Sequence, residues 1–241
     1  MSYFPLLSFI DAIYVINLEY RTDRRSEMHK QLARIGLDYN HPKVKLFPAS
    51  RPDTADEFPN VGTRGCFLSH LNILKNARIQ GHNCILILED DADFTSRFCN
   101  ITKSDTSLIT KTPWDIFYLG SQYSPDENAD NDYGFFTSVV PVAPLKLTHS
   151  MLLRKTVILE IVPYLEVMLT RKIGDPLGGP MHIDGAYSWF RKEHSDIKTM
   201  ATKSQWVVQR ASRTDIHDTG WKEHIPFINM ARQIKNKLIH R

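Results

Sequence analysis

Cysteine is scarce in this chain. Cys66, Cys84 and Cys99 make an odd number without metal-site spacing, which excludes a small disulfide scaffold and fits a reducing, cytosolic compartment. Cys66 and Cys84 fall inside apolar runs, where a small buried hydrophobe is the ordinary reading. Long hydrophobic runs are missing too: none reaches the roughly 18–20 residues a membrane span needs. The first residues, Met1 to Leu7, have no basic stretch and no small-residue cleavage site. Any membrane association is then peripheral, on an inner face. Charge of one sign is also lacking. Lys and Arg number 30 against 27 Asp and Glu, a net charge of +3, too mild for a nucleic-acid binder. No internal repeat or low-complexity segment is present. What remains is a chain of 241 residues, 42% hydrophobic and 24% charged, long enough for one large α/β core or two small ones.

Residues 12–18 form a nearly continuous apolar run, the pattern of a strand buried on both faces. A helical stripe follows at Met28, Leu32 and Ile35, closed by Gly36. Residues 44–47 read as a second strand. Gly62 and Gly65 bracket an expected turn, and Leu68, Leu71, Leu74 and Ala77 mark a second helix ended by Gly81. Residues 84–88 are another doubly buried strand. This alternation predicts a mostly parallel sheet with crossover helices, whose ligands bind beyond the carboxyl ends of the strands. Further on, 116–119 reads as a strand, 122–133 as an acidic loop, 135–153 as short β pieces and 156–171 as a helix interrupted by Pro163. A breaker-rich loop at 174–180 precedes another helix. No linker divides the chain, which gives one domain over 1–220 and a basic tail at 221–241.

The chemistry concentrates in Glu89-Asp90-Asp91-Ala92-Asp93, directly after the buried strand. Four carboxylates in five residues repel one another unless a cation neutralises them. If the segment stays extended, Glu89, Asp91 and Asp93 share one face and Asp90 takes the other. Such hard oxygen ligands suit Mn²⁺ or Mg²⁺, ions that commonly bridge to a diphosphate. A solvated acidic turn or a helix cap is the plainer alternative.

Three segments resemble glycosyltransferase family 25, which includes lipooligosaccharide and collagen hydroxylysine galactosyltransferases. They are Ile13-Tyr14-Val15-Ile16-Asn17-Leu18 with Arg21, Asp23, Arg24 and Arg25 after it; Gly62-Thr63-Arg64-Gly65-Cys66-Phe67-Leu68-Ser69-His70; and Leu86-Ile87-Leu88-Glu89-Asp90-Asp91. Their order and spacing agree as well, and 147–153 adds a weaker match. The resemblance implies a GT-A, Rossmann-like nucleotide-sugar fold, a UDP-sugar donor, a divalent cation and inversion at the anomeric carbon.

It also implies roles. Asn17, Arg21 and Arg24 lie in the loop that receives the nucleotide, with Asp90 beside it; the alternative for each arginine is a salt bridge to Asp23 or Glu27. Ser69 and His70 help hold the donor, or are structural. Asp91 is the first choice for metal contact, with Glu89 behind it. Asp93 lies beyond the matching motif and is added for its chemistry, and a downstream histidine, His217, is either a further ligand or part of an exposed polar turn. Asp184 matches an acid of the family and is the candidate base that deprotonates the acceptor, with helix capping and acceptor binding as alternatives. His182 and Trp189 are candidate acceptor contacts, His182 alternatively orienting Asp184 or lying solvated in the loop, and Trp189 and Trp206 are either sugar-stacking or core residues. The basic amphipathic stretch 226–241 either lies on anionic lipid or docks on the domain.

The expected function is therefore transfer of a hexose, galactose before glucose, from a UDP-sugar to a surface glycan or to hydroxylysine. The alternatives are a catalytically inactive UDP-sugar- or glycan-binding module and a metal-dependent phosphohydrolase.

Overall fold

The computed structural model describes residues 4–121, 123 and 133–211. His217, the tail 221–241 and most of the acidic loop lie outside the described residues. Helix α1 (Thr22–Arg34) joins strand β1 (Ala12–Asn17) to β2 (Val44–Pro48), and α2 (Val61–Ile79) leads to β3 (Cys84–Glu89). Beyond these come β4 (Ala92–Phe94), α3 (Ser96–Cys99), α4 (Lys103–Lys111), β5 (Ile116–Tyr118), β6 (Phe136–Val139) and β7 (Ser150–Arg154). Helices α5 (Lys155–Met168) and α6 (Ile183–Glu193) precede β8 (Thr199–Thr202) and β9 (Val207–Gln209).

Seven strands form one sheet in the order β2-β1-β3-β7-β5-β8-β6, and β7 and β6 run against the other five. The α/β class with a mostly parallel sheet is therefore present as expected. Alternation along β1 sends Ala12, Tyr14 and Ile16 into a core built with α2, α5 and α6. Ile13 and Val15 enter a second core with Met28 and Leu32 of α1 and Ile109 of α4. Helices on both faces explain why β1 and β3 read as unbroken apolar runs. Gly36 and Gly81, with φ of 73° and 69°, close α1 and α2 in the left-handed region. Pro163 is accommodated inside α5. Among the described residues, no helix is long and apolar enough to cross a membrane.

Two local expectations change. Gly62 and Gly65 do not bracket a turn but sit in the first turns of α2, which begins earlier because the Asn60 side chain accepts a hydrogen bond from the Thr63 amide at 2.8 Å. Gly65 is needed for close approach: a Cβ there would lie 2.6 Å from the Ser50 carbonyl oxygen. In addition, the segment after β3 is not extended, because Asp90 and Asp91 form a turn before β4.

Ser69 completes the clamp that Gly65 begins. Its hydroxyl donates to the Gly65 carbonyl at 2.7 Å and accepts the Ser50 amide at 2.8 Å, fixing the loop after β2 on the helix. Gly65→Ala should force that loop outward and cost about 1–3 kcal/mol, the usual penalty of overpacking. Urea denaturation measures it, and an unchanged midpoint would mean that the loop yields freely.

Candidate active site

Because β1 and β3 are parallel neighbours, with Ile16 opposite Glu89, their carboxyl ends open side by side. The cleft there, about 240 Å³ in volume, is lined by Arg24, by Ser50 and Arg51 of the loop after β2, by Gly65, Cys66 and Ser69 of α2, and by Glu89, Asp90 and Asp91. Tyr20 stands half-exposed at its mouth, and the Arg51 guanidinium lies 5.0 Å from the centre of its ring. Strand ends, a helix N-terminus and an arginine converge as anion-binding sites do.

Each carboxylate has a different environment. Asp90 accepts from the Asn17 amide at 2.7 Å and from Arg24 at 2.9 Å. Burial nonetheless pushes its carboxyl above the usual aspartate range, with Arg24 and Asn17 opposing. Asn17 is itself braced by Arg25, whose Nε donates to its oxygen at 3.0 Å. Glu89 accepts from the Thr148 hydroxyl at 3.2 Å, and His70 Nε2 lies 3.5 Å from its Oε1. Burial alone would raise Glu89, but His70, His149 and Thr148 outweigh it and hold the carboxyl below the usual glutamate range.

Asp91 is left short. Arg24 approaches its Oδ2 only to 3.5 Å and the Gln209 amide to 3.4 Å, while Oδ1 is buried without a hydrogen-bond partner. Burial, then repulsion from Glu89, push its carboxyl up to about 7. An orphaned buried carboxylate oxygen beside two further carboxylates fits a hard divalent cation. Glu89, Asp90 and Asp91 are the residues that would hold it.

Asp93 departs from the one-face expectation. The turn at Asp90–Asp91 breaks the alternation, and β4 pairs with β9, so Asp93 meets the Arg210 guanidinium and accepts from Gln31 at 3.1 Å. Arg21 takes the salt-bridge alternative, bidentate to Asp23 at 2.8 and 2.9 Å, and is not among the lining residues. Ser69 lines the cleft as a clamp, and His70 lies buried beneath it against Tyr187.

Asp184 sits in the first turn of α6 and accepts from the Gly185 amide at 2.8 Å. The cap position belongs to His182, which makes no side-chain cap bond; the Asp184 carboxylate instead satisfies a free amide of the first turn, so the helix-start alternative stands beside the role of base. It is near enough to bear on the Cys66 thiol together with Glu89 and Asp91. His182 is half-buried. Trp189 packs over Gly178 with the Lys192 ammonium 5.7 Å from its ring centre, and Trp206 is fully buried as core.

The model of glycosyltransferase family 25 (LPS biosynthesis protein) matches residues 10–133, just over half of the chain and all three motif segments. The chain belongs to glycosyltransferase family 25. It is similar to a glycosyltransferase 25 family member of Anopheles gambiae, 33% identical over 136 residues, which are 49% of this chain and 23% of that relative. It is also similar to procollagen galactosyltransferase 1-A of Xenopus laevis, 32% identical over 130 residues, or 46% of this chain and 21% of that one. A third relative, 28% identical over 136 residues, 48% of this chain and 23% of its own length, is the inactive glycosyltransferase 25 family member 3 of Mus musculus. The chain thus spans less than a quarter of the length of the curated relatives it matches.

Several residues that build this family 25 site escaped the sequence reading. Arg25 stood inside the first motif but gave no sign that it braces Asn17. Thr148 and His149 lay in a weak match, and Arg210 reaches Asp93 from 117 positions away, beyond any local pattern.

The raised Asp91 carboxyl has a sign that can be measured. The folded chain holds this proton up to about 7 against an ordinary 3.8, so the contribution of protonated Asp91 to stability is lost as pH rises between those values. A cation needs the carboxylate, so Mn²⁺ should raise the melting temperature more at about pH 7.5 than at about pH 5.5. Asp91→Asn should remove most of the Mn²⁺ effect. An equal shift at both pH values would detach Asp91 from metal binding.

Proposed function

We propose that this chain carries the donor site of an inverting hexosyltransferase that takes galactose, or failing that glucose, from a UDP-sugar. The observation that carries the reading is the gathering of Glu89, Asp90 and the orphaned Asp91 oxygen in one cleft with Arg24 and the start of α2. Glu89, Asp90 and Asp91 would hold a divalent cation, Mn²⁺ or Mg²⁺, which when bound would supply positive charge to the departing diphosphate. Arg24 adds a guanidinium next to the same oxygens, and Asn17 and Arg25 hold Asp90 so that the group stays in place. Ser69 and Gly65 keep the loop that carries Ser50 and Arg51 at the opposite wall.

Asp184 is the base. It removes the proton from the acceptor hydroxyl as that oxygen attacks the anomeric carbon opposite the leaving UDP. The acceptor is a surface glycan or a hydroxylysine: the family model is described by lipopolysaccharide biosynthesis, and a relative by procollagen. The relative named inactive supports a second reading, a module that binds UDP-sugar without turnover. Family membership leaves a phosphohydrolase with no supporting observation.

The test is release of UDP from a panel of UDP-sugars, with and without Mn²⁺, before and after adding hydroxyl acceptors. Metal-dependent release favouring one sugar is expected. Binding of UDP with metal but no release under any acceptor would leave the inactive module. Asp184→Asn should keep UDP affinity while lowering transfer at least about 100-fold, the scale of a lost general base. Arg24→Ala should weaken UDP more than uridine. Normal transfer by Asp184→Asn would remove Asp184 from the role of base.

A further inference from the structure

Beneath the oxygen-lined part of the cleft lies a second set of donors of different chemistry. Cys66 and His70 are four residues apart on α2 and so face the same way, toward the end of β3. The Cys66 sulfur, a His70 ring nitrogen and a Glu89 oxygen all lie within 4.8 Å of one another. We propose that Cys66, His70 and Glu89 form a binding site for a soft or borderline divalent cation, Zn²⁺ by preference, next to the hard-cation position at Asp91.

Three observations support it. His70 is fully buried, yet its Nε2 has no hydrogen-bond partner and is aimed at Glu89. A buried ring nitrogen that makes no hydrogen bond is uncommon, and a bound cation would satisfy it. Next, the 3.5 Å from Nε2 to Glu89 Oε1 is long for a charge-assisted hydrogen bond. It is close to the ~3.3–3.4 Å that separates two ligands each ~2.0–2.1 Å from one tetrahedral Zn²⁺. Finally, the opposite ring nitrogen, Nδ1, lies 3.5 Å from the Tyr187 hydroxyl. In the metal-bound state the ring proton would sit on Nδ1, directed there, and leave the Nε2 lone pair for the ion, the arrangement in which a second partner orients a metal-binding histidine.

The donor set also selects the metal. Thiolate and imidazole favour Zn²⁺ over Mn²⁺ and Mg²⁺, whereas Asp90 and Asp91 favour the hard ions. Burial, with Glu89, Asp91 and Asp184 nearby, pushes the Cys66 thiol well up. Binding of a cation by this thiol would release its proton to solvent. Thiolate and Glu89 would then neutralise the ion, and its fourth position would open into the cleft that Cys66 lines. Closing the three side chains onto one ion, with ligands ~2.0–2.3 Å from it, requires their donor atoms to draw together from separations of up to 4.8 Å. Because Glu89 belongs to both donor sets, Zn²⁺ here would withdraw it from the hard cation, a consequence that rests on the proposed transferase reading.

Co²⁺ is the probe, added to the whole chain without donor or acceptor so that the result is separate from sugar transfer. The expected result is intense near-ultraviolet thiolate-to-Co²⁺ absorption at one equivalent, bleached by Zn²⁺. Cys66→Ser should abolish it, His70→Gln should weaken Zn²⁺ at least about tenfold, and Cys99→Ser should leave it unchanged. Zn²⁺ should also slow alkylation of Cys66 and not of Cys99. Absence of the thiolate band in the unaltered chain, or its persistence in Cys66→Ser, would overturn the proposal; the first of these needs no variant to fold.

Discussion

Electrostatic crowding at the end of β3 is the constraint to which the neighbouring elements answer. β3 is buried along its length between two helical layers, so the carboxylates that follow it cannot drift into solvent to relieve their repulsion. Two like charges about 4 Å apart repel by about 4 kcal/mol at an effective dielectric of 20, more than most single contacts supply. The structure handles this one carboxylate at a time. Parallel pairing of β1 with β3 sets Asn17 beside Asp90, and the first turn of α1 brings Arg24 to the same group. Asp93 is drawn off to Arg210 by the β4–β9 ribbon.

What remains unbalanced is concentrated rather than spread. Glu89 is held in its charged form by Thr148 and the two histidines, and that retained charge, after burial itself, keeps Asp91 protonated up to about 7. Neighbouring carboxyls driven apart in this way are poised for a ligand that favours both charged forms at once. A divalent cation does so by the same attraction that the protein's own arginines supply only in part. On the proposed reading metal affinity and fold stability are tied to one another here, with opposite dependence on protonation of Asp91.

Much of this was readable in the sequence. Ala12–Asn17 and Cys84–Glu89 are apolar runs because helices cover both of their faces, and that same burial makes strands of this kind easy to recognise. The acidic run at the end of β3 then fell where open parallel sheets bind ligands. Errors arose where backbone geometry was set by tertiary contacts. The turn at Asp90–Asp91 removed Asp93 from the cleft, and the helix start at Val61 made Gly65 a packing residue instead of a turn residue. Arg21 and Arg24 are equivalent by composition. Only the course of α1 sends one to Asp23 and the other to Asp90.

The second motif segment gains a physical meaning from helical spacing. Gly65 and Ser69 form one row along α2, four residues apart, and that row grips the loop after β2. Cys66 and His70 form the adjacent row, rotated by one residue, and face Glu89. A single turn of helix thus ties the opposite wall of the cleft to its acidic floor. A residue added in the first row shifts the loop, and a shift of the helix moves the second row relative to Glu89. Chemistry and packing are not separable in this segment: the glycine that lets the helix approach Ser50 also bears on how near the thiol and imidazole come to the carboxylate they face.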